Sequence, residues 1–193
     1  MTTRLLLATV VAGILMLPAP VQYGLDTNHS HVGFTIPMFG GLSQVKGKFT
    51  DVTVQAIYDE KNLSASSVTA TVKATSIDTG IAKRDDHLRT ADFFEVEKYP
   101  EITFKSSEIK KEDGVFVVSG DFTMHGVTKQ VTIPFRSTGQ QKVGDATVIG
   151  FEGEFTINRN DYGISYGADR TPQMLGNDVS VELSLLLKPA TAK

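Results

Sequence analysis

Cysteine and tryptophan are both missing from this chain of 193 residues. The lack of cysteine excludes a disulfide framework, a thiolate zinc site and a cysteine nucleophile, so a packed core must supply the stability. An excess of basic charge is missing as well: the net charge is -3 and the pI is near 5.8. The chain therefore has no overall positive electrostatic field that would attract nucleic acid. There is also no His-Glu-x-x-His motif, P-loop or dinucleotide fingerprint. These absences argue against an enzyme with a resident cofactor and against a nucleic-acid partner.

The N-terminal residues have the layout of a secretory signal peptide. Arg4 supplies a positive start, an almost unbroken apolar run follows from Leu5 to Leu17, and Pro18-Ala19-Pro20 closes it. The run is too short to span a bilayer comfortably. We therefore predict a signal peptide over residues 1–21 and one domain over residues 22–190, which would work in the periplasm or outside the cell. An uncleaved N-terminal anchor is the alternative.

Most of the remaining chain alternates apolar and polar residues, which is typical of half-buried β-strands. Eight strands are predicted, over residues 31–37, 44–58, 66–75, 101–108, 114–124, 127–138, 146–157 and 179–187. The apolar parity of the second strand changes between Phe49 and Val52, so we place a β-bulge near Thr50-Asp51. The pattern predicts an all-β fold in which eight antiparallel strands close into a barrel, because closure removes the exposed edges.

One stretch, residues 76–94, departs from this alternation. Its residues from Ala82 to Thr90 predict a short helix, inserted after the third long strand, with Asp78 or Thr79 as its cap. The stretch ends on Phe93 and Phe94, which either plug one end of the barrel or gate it.

The predicted helix carries the chain's main concentration of polar chemistry. Arg84, His87 and Arg89 could hold a phosphate or a quinone carbonyl, since guanidinium groups match phosphate oxygens. The alternative is a set of ion pairs that fasten the helix to the barrel, such as Asp85 with Arg89 at i,i+4. The sequence leaves both interpretations open.

The inward-facing apolar residues allow two interpretations as well. They either line a cavity or fill a solid core, and periodicity does not separate the two. This set comprises Phe34, Ile36, Phe49, Val72, Phe104, Phe122, Phe151, Phe155, Leu183 and Leu185.

The histidines do not indicate a metal site. His29 and His31 point the same way on a strand, but no carboxylate accompanies them at close spacing, and a closed site needs about four ligands. His125-Gly126 is interpreted as a tight structural turn between two strands.

Several separate motifs together resemble the YceI family, and they cover nearly the whole mature chain in one order. The motifs are residues 29–34, 45–49, 76–80, 84–89, 92–94, 99–106, 120–129 and 157–163. The sequence departs from the usual family pattern at Pro37-Met38-Phe39-Gly40-Gly41, which makes the region after the first strand more apolar.

The resemblance implies a lipocalin-like eight-stranded barrel that carries an isoprenoid lipid, either a polyprenyl phosphate or an isoprenoid quinone, inside the barrel. Arg84, His87, Arg89, Phe93 and Phe94 would then lie at the head group or mouth. Contact with a membrane surface, as a monomer or homodimer, fits such a carrier. Two alternatives remain: a stress-response or scaffold protein with a filled barrel, and an acid–base enzyme that uses Asp85 and His87.

Overall fold

The computed structural model describes residues 21–170 and 174–190, so the predicted signal peptide, apart from Val21, lies outside the described residues. The strands are β1 (Val21–Leu25), β2 (His31–Met38), β3 (Ser43–Phe49), β4 (Val52–Tyr58), β5 (Ser67–Lys73), β6 (Ile77–Asp78), β7 (Glu101–Glu112), β8 (Val115–Met124), β9 (Val127–Val143), β10 (Ala146–Asn158) and β11 (Asp178–Pro189). One α-helix, α1 (Ala82–Leu88), and short 3-10 turns at Phe39–Gly41, Leu63–Ala65, Ala74–Ser76 and Arg159–Tyr162 complete the described elements. None of these helices is long and apolar enough to cross a bilayer.

Short interruptions divide three of the long strands. β1 and β2 both pair with β11. On their other side, β1 pairs with β4 and β2 pairs with β3. In turn, β4 pairs with β5 and β3 pairs with β6. Each of these couples therefore runs as one long strand, and the eleven segments make eight. The predicted irregularity at Thr50-Asp51 is confirmed, since β3 ends at Phe49 and Thr50 donates its N–H to the carbonyl of Ser76 at 3.1 Å.

The sheet closes on itself with all pairings antiparallel. The ring runs β1-β4-β5-β7-β8-β9-β10-β11 and returns to β1 through the Leu25–Leu187 pair. β2, β3 and β6 extend the wall beyond β1, β4 and β5. The prediction of an eight-stranded antiparallel barrel with one short helical insertion is confirmed.

The two ends of the barrel differ. One, called the turn end here, carries the short connections at residues 59–66, 113–114 and 144–145. The other, the helix end, carries α1 with the following segment to residue 100, the His125-Gly126 turn and the long connection from residue 159 to residue 177. The packed core divides accordingly into one cluster around Tyr23, Val54 and Leu187 and a second around Phe93 and Tyr162.

The cap predicted for α1 is wrong. Ile81 occupies the N-cap position and makes no side-chain cap. Asp85, inside the first turn, instead reaches back and accepts hydrogen bonds from the N–H and Oγ1 of Thr79, at 2.9 and 2.5 Å. The N–H and hydroxyl of Thr79, before the helix, are thus hydrogen-bonded by a side chain inside the helix. In an ordinary N-cap, a side chain before the helix accepts hydrogen bonds from N–H groups inside it.

β9 extends five residues beyond its predicted end at Thr138. A register shift against β10 lies at this point, and Gly139 has a φ of +123°. The hairpin continues past this bulge through mostly polar residues, which show no apolar alternation. Earlier in β9, the pairing with β10 stops at Phe135, so Pro134 lies beyond that ladder, as expected for a residue with no N–H.

Candidate functional site

A large cavity, of about 540 Å³, runs through the barrel in the described part of the chain. Its volume lies in the range of about 300–1,000 Å³ found for ligand pockets. It extends from Tyr58 and Phe116 near the turn end to Arg84 and Met174 at the helix end. All ten residues of the predicted inward-facing set line it, namely Phe34, Ile36, Phe49, Val72, Phe104, Phe122, Phe151, Phe155, Leu183 and Leu185.

The burial of these ten residues shows that the barrel is hollow. Ile36 is buried at 8% exposure, whereas the other nine are only half-buried although they face the interior. An inward side chain on a closed sheet can keep exposed surface only if it borders a void. A barrel filled by its own side chains is therefore contradicted.

Aromatic rings close the cavity towards the turn end. Tyr58 meets Tyr23 and Phe116 edge-on, with ring centroids 6.4 and 6.3 Å apart, and Phe116 meets Phe151 at 5.6 Å. Burial raises the pKa of the Tyr23 and Tyr58 hydroxyls. An apolar ligand at this end would therefore contact mainly the faces and edges of aromatic rings.

At the helix end, Arg84 and His87 line the cavity. Arg84 donates from Nε to Thr79 Oγ1 at 2.7 Å and from Nη2 to the Thr79 carbonyl at 2.9 Å, which fixes its guanidinium at the wall. His87 lies one helical turn further on, with Nε2 2.8 Å from a carboxylate oxygen of Asp92. Arg84 has no carboxylate within 4.0 Å among the described residues, so the ion-pair interpretation does not hold for Arg84.

Arg89 lies elsewhere: it is not among the residues that line the cavity. Its guanidinium donates to the carbonyls of Thr75 and Ile77 at 2.9 and 3.0 Å and to Asp86 at 2.9 Å. It fastens α1 to β6, which is the structural alternative. The pair is Asp86–Arg89 at i,i+3 rather than Asp85–Arg89, because Asp85 is turned inward to Thr79.

Phe93 and Phe94 both line the cavity from the segment after α1. Phe93 is buried and packs against His87 and Tyr166, with ring centroids 5.1 and 4.9 Å away. Phe94 meets Phe49 edge-on at 6.0 Å. The two rings cover this end of the barrel, so the segment acts at least as a cover for the cavity.

The sequence analysis missed the contribution of residues 159–170 and 174–175 to this wall. Arg159, Tyr166, Arg170 and Met174 all line the cavity. Arg159 is only 3% exposed, and it donates to the carbonyls of Gly176 and Ile164, both at 2.8 Å. Arg159 lay within a motif that indicated the family, but its burial depends on the long connection that folds over it.

That connection also contains a match to Gly-x-Ser-x-Gly, at residues 163–167, which the sequence analysis passed over. In hydrolases this pattern forms a sharp strand-to-helix turn that presents the serine. Here it follows a 3-10 turn and is not followed by a helix, and no histidine in the described residues bonds to Ser165. The match is therefore one of sequence pattern alone, without the local structure that the pattern has in hydrolases.

The histidines do not converge. His29 Nδ1 lies 3.1 Å from the carboxylate oxygen Oδ1 of Asp26, and His125 Nδ1 lies 3.0 Å from the Tyr162 carbonyl oxygen. No group of three or more His, Asp or Glu side chains in residues 21–170 and 174–190 is arranged to hold a metal ion. His125 and Gly126 have φ angles of +51° and +75°, as a tight two-residue hairpin requires.

Known proteins share both the sequence and the barrel. A family model for the YceI-like domain matches residues 23–187. The chain belongs to the YceI family. It is 39% identical over 167 residues to Protein YceI of Escherichia coli, covering 83% of this chain and 85% of that one.

Two solved structures have the same fold. BcnA of Burkholderia cenocepacia superposes with a TM-score of 0.73 at 23% identity, over 84% of this chain and 98% of that one. A polyisoprenoid binding domain from Saccharophagus degradans, implicated in plant cell wall breakdown, superposes with a TM-score of 0.67 at 16% identity, over 88% of this chain and 99% of that one. At these identities the likeness concerns the fold alone.

Proposed function

We propose that this protein is an exported, non-catalytic carrier that holds the tail of an isoprenoid lipid inside its barrel. The observation that carries the proposal is the hollow interior, in which half-buried phenylalanines and aliphatic side chains surround about 540 Å³. Burial of apolar surface contributes about 25 cal/mol per Å², so a long tail can be retained by such a lining with few polar contacts. The polyisoprenoid binding domain with the same fold supports this ligand class.

The N-terminal layout of residues 1–21 supports export, and the polar groups of α1 support a non-catalytic role. Asp85 is 7% exposed and accepts hydrogen bonds from the N–H and Oγ1 of Thr79, so it is not free for proton transfer to a ligand, while His87 has its Nε2 engaged by Asp92. A His87→Ala variant that retained lipid binding would fit the carrier. A turnover that this substitution abolished would favour the acid–base enzyme.

The direct test is to recover the protein from its native host without detergent and to analyse the extracted lipid by mass spectrometry. We expect the protein to be recovered from the periplasmic or extracellular fraction and to contain an isoprenoid lipid in nearly equimolar amount to the protein. Protein that carries no lipid and also fails to take up geranylgeraniol in vitro would contradict the proposal.

We further propose that the helix end contacts the membrane from which the lipid comes. Leu42 and Phe39 are 90% and 50% exposed, and Met174, which is 44% exposed, also lines the cavity. Phe39 N–H donates to the Met174 carbonyl at 2.8 Å, so the exposed apolar loop adjoins the cavity wall. A tail could then pass from bilayer to barrel with little contact with water.

Replacing Phe39 and Leu42 together with serine tests this contact. We expect slower transfer of lipid between vesicles, with unchanged equilibrium binding of geranylgeraniol. The matched control is Val143→Ser, which removes an apolar side chain that is 59% exposed at the turn end. Equal transfer rates for all three proteins would exclude the helix end as the contact.

A further inference from the structure

The tripeptide Asn-x-Ser, in which x is not proline, occurs at Asn28-His29-Ser30 and at Asn62-Leu63-Ser64. In secreted proteins this pattern is the acceptor sequence for N-linked glycans and lies in surface loops. Each match also has a carboxylate two residues before the asparagine, Asp26 in the first and Glu60 in the second. A carboxylate at this position is the additional feature that bacterial oligosaccharyltransferases recognise, so both sequences are complete acceptors.

The first acceptor sequence is held against the barrel wall. It lies in the connection between β1 and β2, and both of these strands pair with β11. Asp26 donates its N–H to the Leu186 carbonyl at 2.8 Å, and the Leu186 N–H donates to Ser30 Oγ at 2.9 Å. A transferase binds the asparagine and the hydroxyl two residues later together. It would therefore reach Asn28 only after this connection had separated from β11.

The second acceptor sequence lies in the connection at the turn end, residues 59–66. Its three recognition side chains are all exposed, namely Glu60, Asn62 and Ser64. The hydrogen bonds of this connection are local. Asp59 Oδ1 accepts from the N–H groups of Lys61 and Asn62 at 2.9 and 3.0 Å. Ala65 N–H donates to the Asn62 carbonyl at 2.9 Å, so the connection is able to rearrange while the strands on either side stay paired.

The side chains of Asn62 and Ser64 lie together. Ser64 Oγ donates to Asn62 Oδ1 at 2.6 Å, so the hydroxyl and the carboxamide face the same side of the chain. In the described part of the chain, no hydrogen bond engages Asn62 Nδ2, the atom that carries the sugar in an N-linked glycan. Both groups are therefore accessible to one enzyme surface.

We propose that Asn62 is the acceptor of an N-linked glycan, added after the barrel has folded, and that Asn28 is not. Asn62 Nδ2 attacks C1 of a sugar carried on a polyprenyl pyrophosphate. The C1–N bond forms, the bond from C1 to the pyrophosphate oxygen breaks, and one amide proton passes to a base of the transferase, with no oxidation or reduction. The inference rests on export, as part of the proposed function, because these transferases act outside the cytoplasm.

A glycan at Asn62 would lie at the turn end of the barrel. The exposed apolar residues Phe39 and Leu42, which we propose contact the membrane, lie at the helix end. A bulky polar sugar stays in water. It would therefore keep the turn end away from the bilayer and favour approach by the helix end.

The experiment expresses the full chain in bacteria that also produce an oligosaccharyltransferase and its lipid-linked oligosaccharide. Periplasmic protein is digested, and glycan occupancy is measured by mass spectrometry on the separate peptides that contain Asn28 and Asn62. We expect occupancy at least about tenfold higher at Asn62, because a locally bonded loop opens at lower cost than a segment bonded to the barrel wall.

Substitutions in the exposed loop test the assignment. Asn62→Gln and Ser64→Ala should each abolish the modification, Glu60→Gln should reduce it, and Ser64→Thr should retain it because it keeps the hydroxyl. Asn28→Gln is the matched control, since it removes the same amide from the other sequence, and it should leave the occupancy of Asn62 unchanged. Full occupancy in the Ser64→Ala variant would count against the site.

Periplasmic protein with no glycan on Asn62, from cells that modify a control glycoprotein, would overturn the acceptor site and leave the carrier proposal intact. Equal occupancy of Asn28 and Asn62 would refute the selection by the fold. A chain that stays in the cytoplasm would instead contradict export, and the modification with it.

Discussion

Filling part of the cavity should weaken lipid binding while the barrel stays folded. Ala70 is the best position, because it lines the cavity on β5 opposite Val54 and Phe104 and is only half-buried. Ala70→Phe places a ring in the space of roughly one prenyl unit. About five carbons of the tail then lose their burial, at about 0.8 kcal/mol each, which gives an upper limit of about 4 kcal/mol. A tail that shifts along the cavity recovers part of this, so we expect affinity to fall by at least about tenfold.

The matched control is Thr69→Phe, which adds the same ring to the neighbouring residue on the exposed outer face of β5. Affinity is measured by displacement of the fluorescent probe N-phenylnaphthylamine with geranylgeraniol, a neutral lipid that avoids the head-group question. The free energy of unfolding in urea should change by less than about 1 kcal/mol, because the ring enters a void and not a packed core. Wild-type affinity in a folded Ala70→Phe protein would show that the tail binds elsewhere.

Three further predictions concern the fold. Arg89→Gln should lower the free energy of unfolding by about 1–3 kcal/mol, because three hydrogen bonds of the guanidinium fasten α1. The control Arg136→Gln, at an exposed ion pair, should change it by less than about 1 kcal/mol. Both values are measured by unfolding in urea. Gly126→Ala should destabilise more than Gly114→Ala, because both have positive φ but only at Gly126 would the new Cβ lie 2.5 Å from the Tyr99 ring; equal losses would mean that backbone strain alone matters. The Tyr58 pKa is raised by burial, so stability should be retained below about pH 10 and fall above it, and Tyr58→Phe should show a shallower fall in thermal melts against pH.

Alternation of apolar residues was sufficient to predict the barrel. The inward parity of β2, β4, β10 and β11 could be read directly, and the change of phase located the break between β3 and β4 at Thr50-Asp51, although it was interpreted as a β-bulge. β8 was ambiguous, since Val115 and Val117 compete with Phe116 and Val118 for the interior. The structure places Phe116 and Val118 inside, where both are 6% exposed. Cross-strand partners decide such a case, and they are not visible in one strand.

The polar end of the cavity was only partly predictable. Arg84 and His87 were found because they lie in a compact polar stretch, and Arg89 was grouped with them by proximity alone. Five residues of helix rotate the direction by about 500°, however, so the two side chains point about 140° apart. Arg89 faces Thr75 and Ile77, while Arg84 faces the cavity. Arg159 and Arg170 lie more than 60 residues further along the chain and reach Tyr166 only through the fold of an irregular connection.

Hollowness is the property that separates a carrier from a filled barrel, and it does not depend on the pattern of apolar residues. Both kinds of barrel need inward side chains at every second position. In this protein Phe34 lies over Gly47, on the neighbouring strand, so closely that a Cβ there would be 2.4 Å from the ring. Likewise Phe135 lies over Gly153, where a Cβ would be 2.7 Å away. Rings that lie against the wall over glycine, instead of extending to the barrel axis, leave the centre open. Gly47→Ala should therefore push the Phe34 ring into the cavity and weaken binding of geranylgeraniol more than Gly24→Ala, where a Cβ meets only a backbone oxygen at 4.0 Å; equal affinities in a displacement titration would refute this account of the void.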